Sequence, residues 1–206
     1  MTTGRDALER LRTGNKRFVA NVRSAESISN AARRAELAVA QQPFAIVLGC
    51  SDSRVPVEII FDQGLGDLFV IRVAGNIVAP SLIGSVEFAA SQFGTRLVVV
   101  LGHSQCGAII ATLDELRRPT ANQSPNLRSI VDRIRPGIEG LLAGSDRLDQ
   151  SGLVDRAVQA NILASVQQLR HGSAIIEGLV AKDGLVIVGA NYSLDTGVVE
   201  FLEQTL

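Results

Sequence analysis

Three short apolar runs, each followed at once by polar or reactive side chains, are the feature that most constrains the fold of this chain. They are FAIVLG before Cys50, LVVVLG before His103 and LVIVGA before Asn191, and DLFVIRVA at 67–74 is a fourth run with one arginine inside it. Continuous Val, Ile and Leu without polar alternation is typical of strands that are buried on both faces of a parallel sheet.

Segments with helical spacing lie between these runs. They are SLIGSVEFAASQFG (81–94), AIIATLDELRR (108–118) and VDRAVQANILASVQQLRH (154–171). Strands that alternate with helices predict an α/β fold, with a mostly parallel β-sheet flanked by α-helices and right-handed crossovers.

The N-terminal segments 5–20 and 29–41 also have helical spacing, and we expect these helices to pack on a partner subunit. The stretch RRPTANQSPN at 117–126 is the most loop-like region of the chain. It is too short to separate two domains, so we expect residues 1–206 to form a single domain with one sizeable core.

Charge and composition exclude several classes of partner. The formal net charge is −1 over 206 residues, which gives no basic surface for nucleic acid or for an anionic membrane. The sequence contains neither an apolar stretch of about 18 residues nor the apolar core of a secretory signal. The two cysteines, Cys50 and Cys106, are too few for a disulfide scaffold. We therefore expect a cytoplasmic protein with reduced thiols.

Reactive side chains follow two of the predicted strands. The first strand leads into Cys50, Asp52 and Arg54, and the second leads into His103 and Cys106. Ligands of open α/β sheets collect beyond the carboxyl ends of the strands, so these residues converge if the two strands are neighbours. Two thiols and an imidazole are ligands that Zn²⁺ prefers.

The number of candidate ligands bears on the role of such a metal. Cys50, His103 and Cys106 are three ligands, and catalytic zinc sites keep a fourth position open for water. Water on zinc held by two thiolates ionises with a pKa lowered toward roughly 7 to 8. A helix that begins at Gly107 would favour Cys106 as thiolate through its N-terminal partial charge.

Asp52 has two possible positions in this scheme. It can fill the fourth position and close the zinc site, or it can pair with Arg54 and accept a hydrogen bond from the zinc-bound water. Closure at low pH and release as the pH rises would make an enzyme that is inactive near neutrality. The simpler alternative is an ion pair that only supports a turn.

The motifs CSDSRVP and HSQCGA, in this order, resemble the zinc-site pattern of the β-class carbonic anhydrases. FDQGLGDLFVIRVAGN (61–76), SVEFAAS and VIVGANY are also similar to that family, so the resemblance covers roughly residues 40–200. It implies Zn²⁺ on Cys50, His103 and Cys106, with Asp52 and Arg54 as the dyad that orients the nucleophile. It also implies reversible hydration of carbon dioxide to bicarbonate, in dimers or multiples of dimers with the pocket at the subunit boundary.

The resemblance further implies a set of substrate-binding residues. Gln41 matches a glutamine that hydrogen-bonds substrate, and Phe69, Ala74 and Phe88 match the apolar wall of the pocket. Gly107 is a further expected substrate-binding residue. An apolar wall suits carbon dioxide, which is nonpolar and must displace water. The simpler interpretations are that the two phenylalanines are core residues and that Gln41 is an ordinary loop residue.

One departure from the family concerns a second, inhibitory bicarbonate site of some bacterial members. Arg72 and Tyr192 fall at two of its positions, but Val47 stands where those members have a tryptophan, and the chain contains no tryptophan. We therefore expect this regulatory site to be missing.

Two alternative functions remain open at this stage. The resemblance implies that a zinc-bound hydroxide attacks carbon dioxide, and the same hydroxide could instead attack carbon disulfide or carbonyl sulfide, because relatives with this fold do so. Alternatively, Asp52 closes the zinc site, and the metal only stabilises a dimer without catalysis.

Overall fold

Five strands form one sheet in the computed structural model, which describes residues 2–22, 31–119, 124–147, 149–202 and 205. Their order across the sheet is β2-β1-β3-β4-β5. The strands are β1 Ala45–Gly49, β2 Leu68–Arg72, β3 Leu97–His103, β4 Val186–Tyr192 and β5 Val199–Leu202. The first four correspond to the four predicted strands and pair in parallel. The α/β prediction is therefore confirmed.

The neighbouring positions of β1 and β3 matter most for function. Gly49 at the end of β1 is in register with Leu101 of β3, so the carboxyl ends of both strands lie at one edge of the sheet. The fifth strand was not predicted, and it pairs antiparallel with β4. It has only four residues, one of them Glu200, so its sequence lacks the long apolar run that marks the other strands.

The helices surround this sheet. They are α1 Gly4–Val19, α2 Ala31–Leu37, α3 Val57–Ile60, α4 Pro80–Gln92, α5 Gly107–Arg117, α6 Pro125–Ile138, α7 Gln150–His171 and α8 Ala174–Lys182, with 3-10 turns at Ala74–Asn76 and Glu139–Arg147. Helix α6 begins inside the stretch expected to be a loop, of which residues 120–123 lie outside the described residues. Its start carries a capping signal, because the Ser124 hydroxyl accepts a hydrogen bond from the Asn126 N–H and Pro125 occupies the first turn.

Alternate residues of each central strand contribute to two apolar clusters, one on each face of the sheet. In β1, Ile46 and Leu48 join the cluster that packs under α7, and Ala45 and Val47 join the cluster under α1. All four are fully buried. Because burying a Val, Leu or Ile side chain contributes about 1.5–3 kcal/mol, both faces stabilise the sheet.

The two N-terminal helices differ in their packing. Helix α1 buries Ala7, Leu8 and Leu11 against this chain, whereas α2 has no buried residue. Residues 29 and 30 of the second predicted segment lie outside the described residues. Packing of these helices on a partner subunit stays a prediction. Among the described residues, no helix has the length and apolarity needed to cross a membrane.

Gly14 lies where α1 closely approaches the backbone of Phe61, and Gly14→Ala is expected to lower the free energy of unfolding by about 1–3 kcal/mol. A Cβ there would lie 1.8 Å from the backbone oxygen of Phe61. Gly178→Ala on α8 is the matched control, because a Cβ there meets nothing within 4 Å. It should be neutral or slightly stabilising. Urea unfolding of both variants checks this, and equal stability of the two would contradict it.

Candidate metal centre

Cys50, His103 and Cys106 converge where β1 and β3 end. Cys50 directly follows β1, His103 is the last residue of β3, and Cys106 is the N-cap of α5. All three are buried, and their candidate ligand atoms all lie within 4.8 Å of one another. The convergence expected from the sequence is therefore present, and one metal ion could reach all three.

The His103 ring is oriented as a metal ligand. Its Nδ1 lies 2.9 Å from the backbone oxygen of Ser104, so a neutral ring donates the Nδ1 proton there and keeps a lone pair on Nε2. Nε2 is buried and has no hydrogen-bond partner among the described residues. A buried nitrogen left without a partner beside two thiols fits a metal bond.

The two thiols are close enough to interact as a hydrogen-bonding pair, and this interaction shifts the pKa of both. It is the main reason that the pKa of Cys50 is lowered to about 4, although burial acts in the opposite direction. The same interaction, together with burial, raises the pKa of Cys106 above its ordinary value. Backbone hydrogen bonds from Ala108 and Ile109 in the first turn of α5 do lower the pKa of Cys106, as expected, but they are the smaller influence. Both shifts belong to one interacting pair of thiols, so the thiolate on Cys106 stays a prediction. A Zn²⁺ that bound both sulfurs would displace any proton that the pair retains.

Backbone and arginine contacts hold the Cys50 loop in place. The Gly75 N–H donates to Cys50 Sγ at 3.4 Å. Arg72 donates from Nε to the backbone oxygen of Cys50 at 3.1 Å and from a terminal nitrogen to that of Asp52 at 2.7 Å. Sequence reasoning missed these contacts, because backbone groups carry no side-chain signal.

Asp52 is paired with Arg54. The guanidinium donates to both carboxylate oxygens at 2.9 and 2.7 Å, and the Arg54 backbone N–H donates to Oδ1 at 2.9 Å. The side-chain bonds from Arg54 are the main reason that the pKa of Asp52 lies well below its usual range. Asp52 Oδ2 is 3.9 Å from His103 Nε2. Of the two positions considered for Asp52, the structure has the one on Arg54, adjacent to the ligand cluster.

The Arg54 side chain also binds the loop that follows β3. Its terminal nitrogen donates to the backbone oxygen of Gln105 at 3.3 Å. Gln105 has a φ of 57°, an uncommon backbone conformation for a residue with a side chain. The dyad is thereby linked to both loops that supply the ligands.

Comparison with known proteins identifies relatives of this chain. The carbonic anhydrase family model matches residues 45–199. Carbonic anhydrase 2 of Mycobacterium tuberculosis is 40% identical over 191 residues, 93% of this chain and 89% of that protein. A carbonic anhydrase of Mycolicibacterium smegmatis is 43% identical over 197 residues, 94% of this chain and 91% of that protein.

Solved structures agree with the sequence matches. A β-carbonic anhydrase of Aspergillus fumigatus superimposes with a TM-score of 0.74 at 27% identity, over 82% of this chain and 80% of that one. One of two tetrameric β-carbonic anhydrases of Sordaria macrospora gives 0.75 at 26% identity, over 84% and 87%. This chain belongs to the β-class carbonic anhydrases.

In this β-class carbonic anhydrase, the expected substrate-binding residues lie on several different structural elements. Ala74 begins the 3-10 turn beside Cys50, and Gly107 begins α5 directly after Cys106. Phe69 on β2 and Phe88 on α4 contact each other with ring centroids 6.2 Å apart, and Phe88 is 52% exposed. Gln41 is exposed and borders a surface depression whose lining includes none of the three candidate ligands. Their substrate-binding roles stay predictions.

The residues considered for a regulatory bicarbonate site have other contacts. Val47 is fully buried in β1, and Tyr192 is 6% exposed at the end of β4. Arg72 holds the backbone of the Cys50 loop as described above. The absence of this regulatory site stays a prediction.

Proposed function

We propose that this carbonic anhydrase hydrates carbon dioxide reversibly to bicarbonate and a proton, with Zn²⁺ held by Cys50, His103 and Cys106. The observation that carries the proposal is the buried Cys–His–Cys cluster in a chain of this family. When bound, zinc supplies the Lewis acidity that ionises water near neutral pH. Two thiolates and an aimed imidazole are a ligand set suited to it.

In this proposal Asp52 orients the attacking water. Its carboxylate accepts the water's hydrogen bond at Oδ2, the oxygen that lies 3.9 Å from His103 Nε2. Arg54 keeps the carboxylate ionised and turned away from a bond to the metal, because it binds both oxygens. A fixed acceptor points the water's lone pair at the substrate carbon without reorganisation during the reaction.

Substrate binding is proposed to use apolar surface. Ala74 beside Cys50, together with Phe69 and Phe88, would form the wall, and Gln41 would donate a hydrogen bond to the substrate. Phe69, Phe88 and Phe93 form a contiguous aromatic group of which Phe88 is half exposed. Such a surface favours carbon dioxide over water and also favours burial against another subunit.

The proposal includes a homo-oligomer, a dimer or a dimer of dimers, in which each chain is one domain of residues 1–206. Helix α2 has no residue buried by its own chain, which supports packing on a partner. The structurally similar enzyme from Sordaria macrospora is described as tetrameric. We place the enzyme in the cytoplasm, because Cys50 and Cys106 must stay reduced to bind metal.

Zinc content measured together with stopped-flow carbon dioxide hydration, from about pH 6.5 to 9, tests the function. We expect one zinc per chain and a rate that rises with pH. Carbonyl sulfide and carbon disulfide are assayed in parallel. Turnover of these gases without carbon dioxide hydration would contradict the proposal, and so would a zinc-loaded protein with no turnover, since the metal would then be only structural.

A further inference from the structure

The 3-10 turn at Ala74–Asn76 connects the long helix α7 to a candidate metal ligand. On one side, the Gly75 N–H donates to Cys50 Sγ at 3.4 Å. On the other, Asn161 Nδ2 donates to the Gly75 oxygen at 2.8 Å, and Ser165 Oγ donates to the Asn76 oxygen at 3.1 Å. Two successive carbonyls of the turn are thus bound by side chains of one helix.

Both helix residues are polar side chains at buried positions. Asn161 and Ser165 are each 2% exposed, on the apolar face of α7 that covers the sheet. They are four residues apart, so they lie on one face of the helix and reach the same turn. Burial of a polar side chain destabilises the fold unless the side chain is hydrogen-bonded. Asn161 and Ser165 meet this requirement by donating hydrogen bonds to the turn.

The turn itself has little freedom to move. Gly75 has a φ of 73° and a ψ of 19°, a left-handed conformation that favours glycine. A Cβ at Gly75 would lie 2.8 Å from Ile134 Cδ1 and 3.1 Å from Ala108 Cβ. Side chains of α5 and α6 therefore lie close to Gly75, and Asn161 and Ser165 of α7 bind the carbonyls of Gly75 and Asn76.

We propose that Asn161 and Ser165 are positioning residues for the metal centre: they hold the 74–76 turn so that the Gly75 N–H stays directed at Cys50 Sγ. An N–H bond to a thiolate fixes the direction of the sulfur lone pairs and reduces the charge that the sulfur donates to a metal. Loss of the helix contacts frees the turn, weakens the N–H···S bond and leaves Cys50 less well oriented.

The inference rests on the proposed metal site but not on carbon dioxide chemistry, so its test measures metal binding alone. Asn161→Ala and Ser165→Ala are titrated with Co²⁺ and with Zn²⁺ against a chelator. We expect Asn161→Ala to weaken metal affinity about 10- to 100-fold. Ser165→Ala, which removes one hydrogen bond, should weaken it by about 3- to 10-fold. In the cobalt protein, the thiolate-to-cobalt absorption should move to lower energy as the sulfur becomes more electron-rich.

Asn15→Ala is the matched control for a simple loss of stability. Asn15 is also a buried helical asparagine, which donates to the oxygens of Ile60 and Gly197 and accepts from the Val199 N–H, outside the metal site. It should destabilise the fold while leaving metal affinity and the cobalt spectrum unchanged.

The outcomes separate this inference from the proposed function. Wild-type affinity and spectrum in both α7 variants would overturn the inference alone, and so would an equal loss of affinity in Asn15→Ala. A wild-type protein that binds neither metal would overturn the proposed function and the inference together. If Asn161→Ala does not fold, Ser165→Ala decides.

Discussion

His103→Ala is expected to remove zinc and activity together, with hydration slowed by about 10³-fold or more. The ring nitrogen Nε2 is buried beside the two cysteines without a hydrogen-bond partner among the described residues, so alanine removes a candidate metal ligand. It also removes the Nδ1 hydrogen bond to the Ser104 oxygen, which orients the ring. Two thiols alone cannot complete a catalytic zinc site. Zinc content by elemental analysis and stopped-flow hydration of the same preparation measure both effects.

His171→Ala is the matched control, since His171 is the chain's other histidine. Its side chain is 71% exposed at the end of α7, and Nδ1 lies 3.5 Å from Glu177. Zinc content and rate should be unchanged in this variant, while circular dichroism verifies that both variants fold. A His103→Ala protein that keeps its zinc and a near wild-type rate would show that the metal centre has been assigned to the wrong residues.

The sequence was sufficient to predict the four parallel strands and the candidate ligands, because both have local signals. Long Val and Ile runs indicate buried strands, and Cys and His at strand ends indicate metal chemistry. The order of the strands has no such signal. That β1 and β3 are neighbours, which brings Cys50 to His103, is decided by how helices and strands pack along the whole chain.

The contacts that hold the candidate ligands in position could not be predicted either, for a different reason. The Gly75 N–H and the Ser104 oxygen are backbone groups, so their role depends on conformation and not on residue type. Asn161 and Ser165 did leave a signal in AVQANILASV, two polar residues four apart within an apolar helical face. Such a pattern indicates buried hydrogen bonds, but it does not identify the partner.

Asp52→Asn is expected to keep zinc and to lower the hydration rate by about 10²-fold or more at every pH from about 6.5 to 9. Asparagine retains the shape of the side chain but loses its charge and one of its two acceptor oxygens. It therefore breaks the paired bonds from Arg54 at 2.9 and 2.7 Å and removes the fixed acceptor for the attacking water. Because Cys50, His103 and Cys106 are untouched, zinc content should equal that of the wild type.

Asp67→Asn makes the same chemical change away from the metal centre. Asp67 and Asp52 are both paired with an arginine, Arg10 at 3.1 Å in the case of Asp67, and their side chains are equally exposed at 17%. A loss of rate confined to Asp52→Asn would therefore come from the position of Asp52 beside His103 and not from losing an arginine pair. Equal rates in the two variants would mean that Asp52 supports only its turn. If the Asp52 variant also lost zinc, the carboxylate would have to be a ligand, which is the closed arrangement that its bonds to Arg54 oppose.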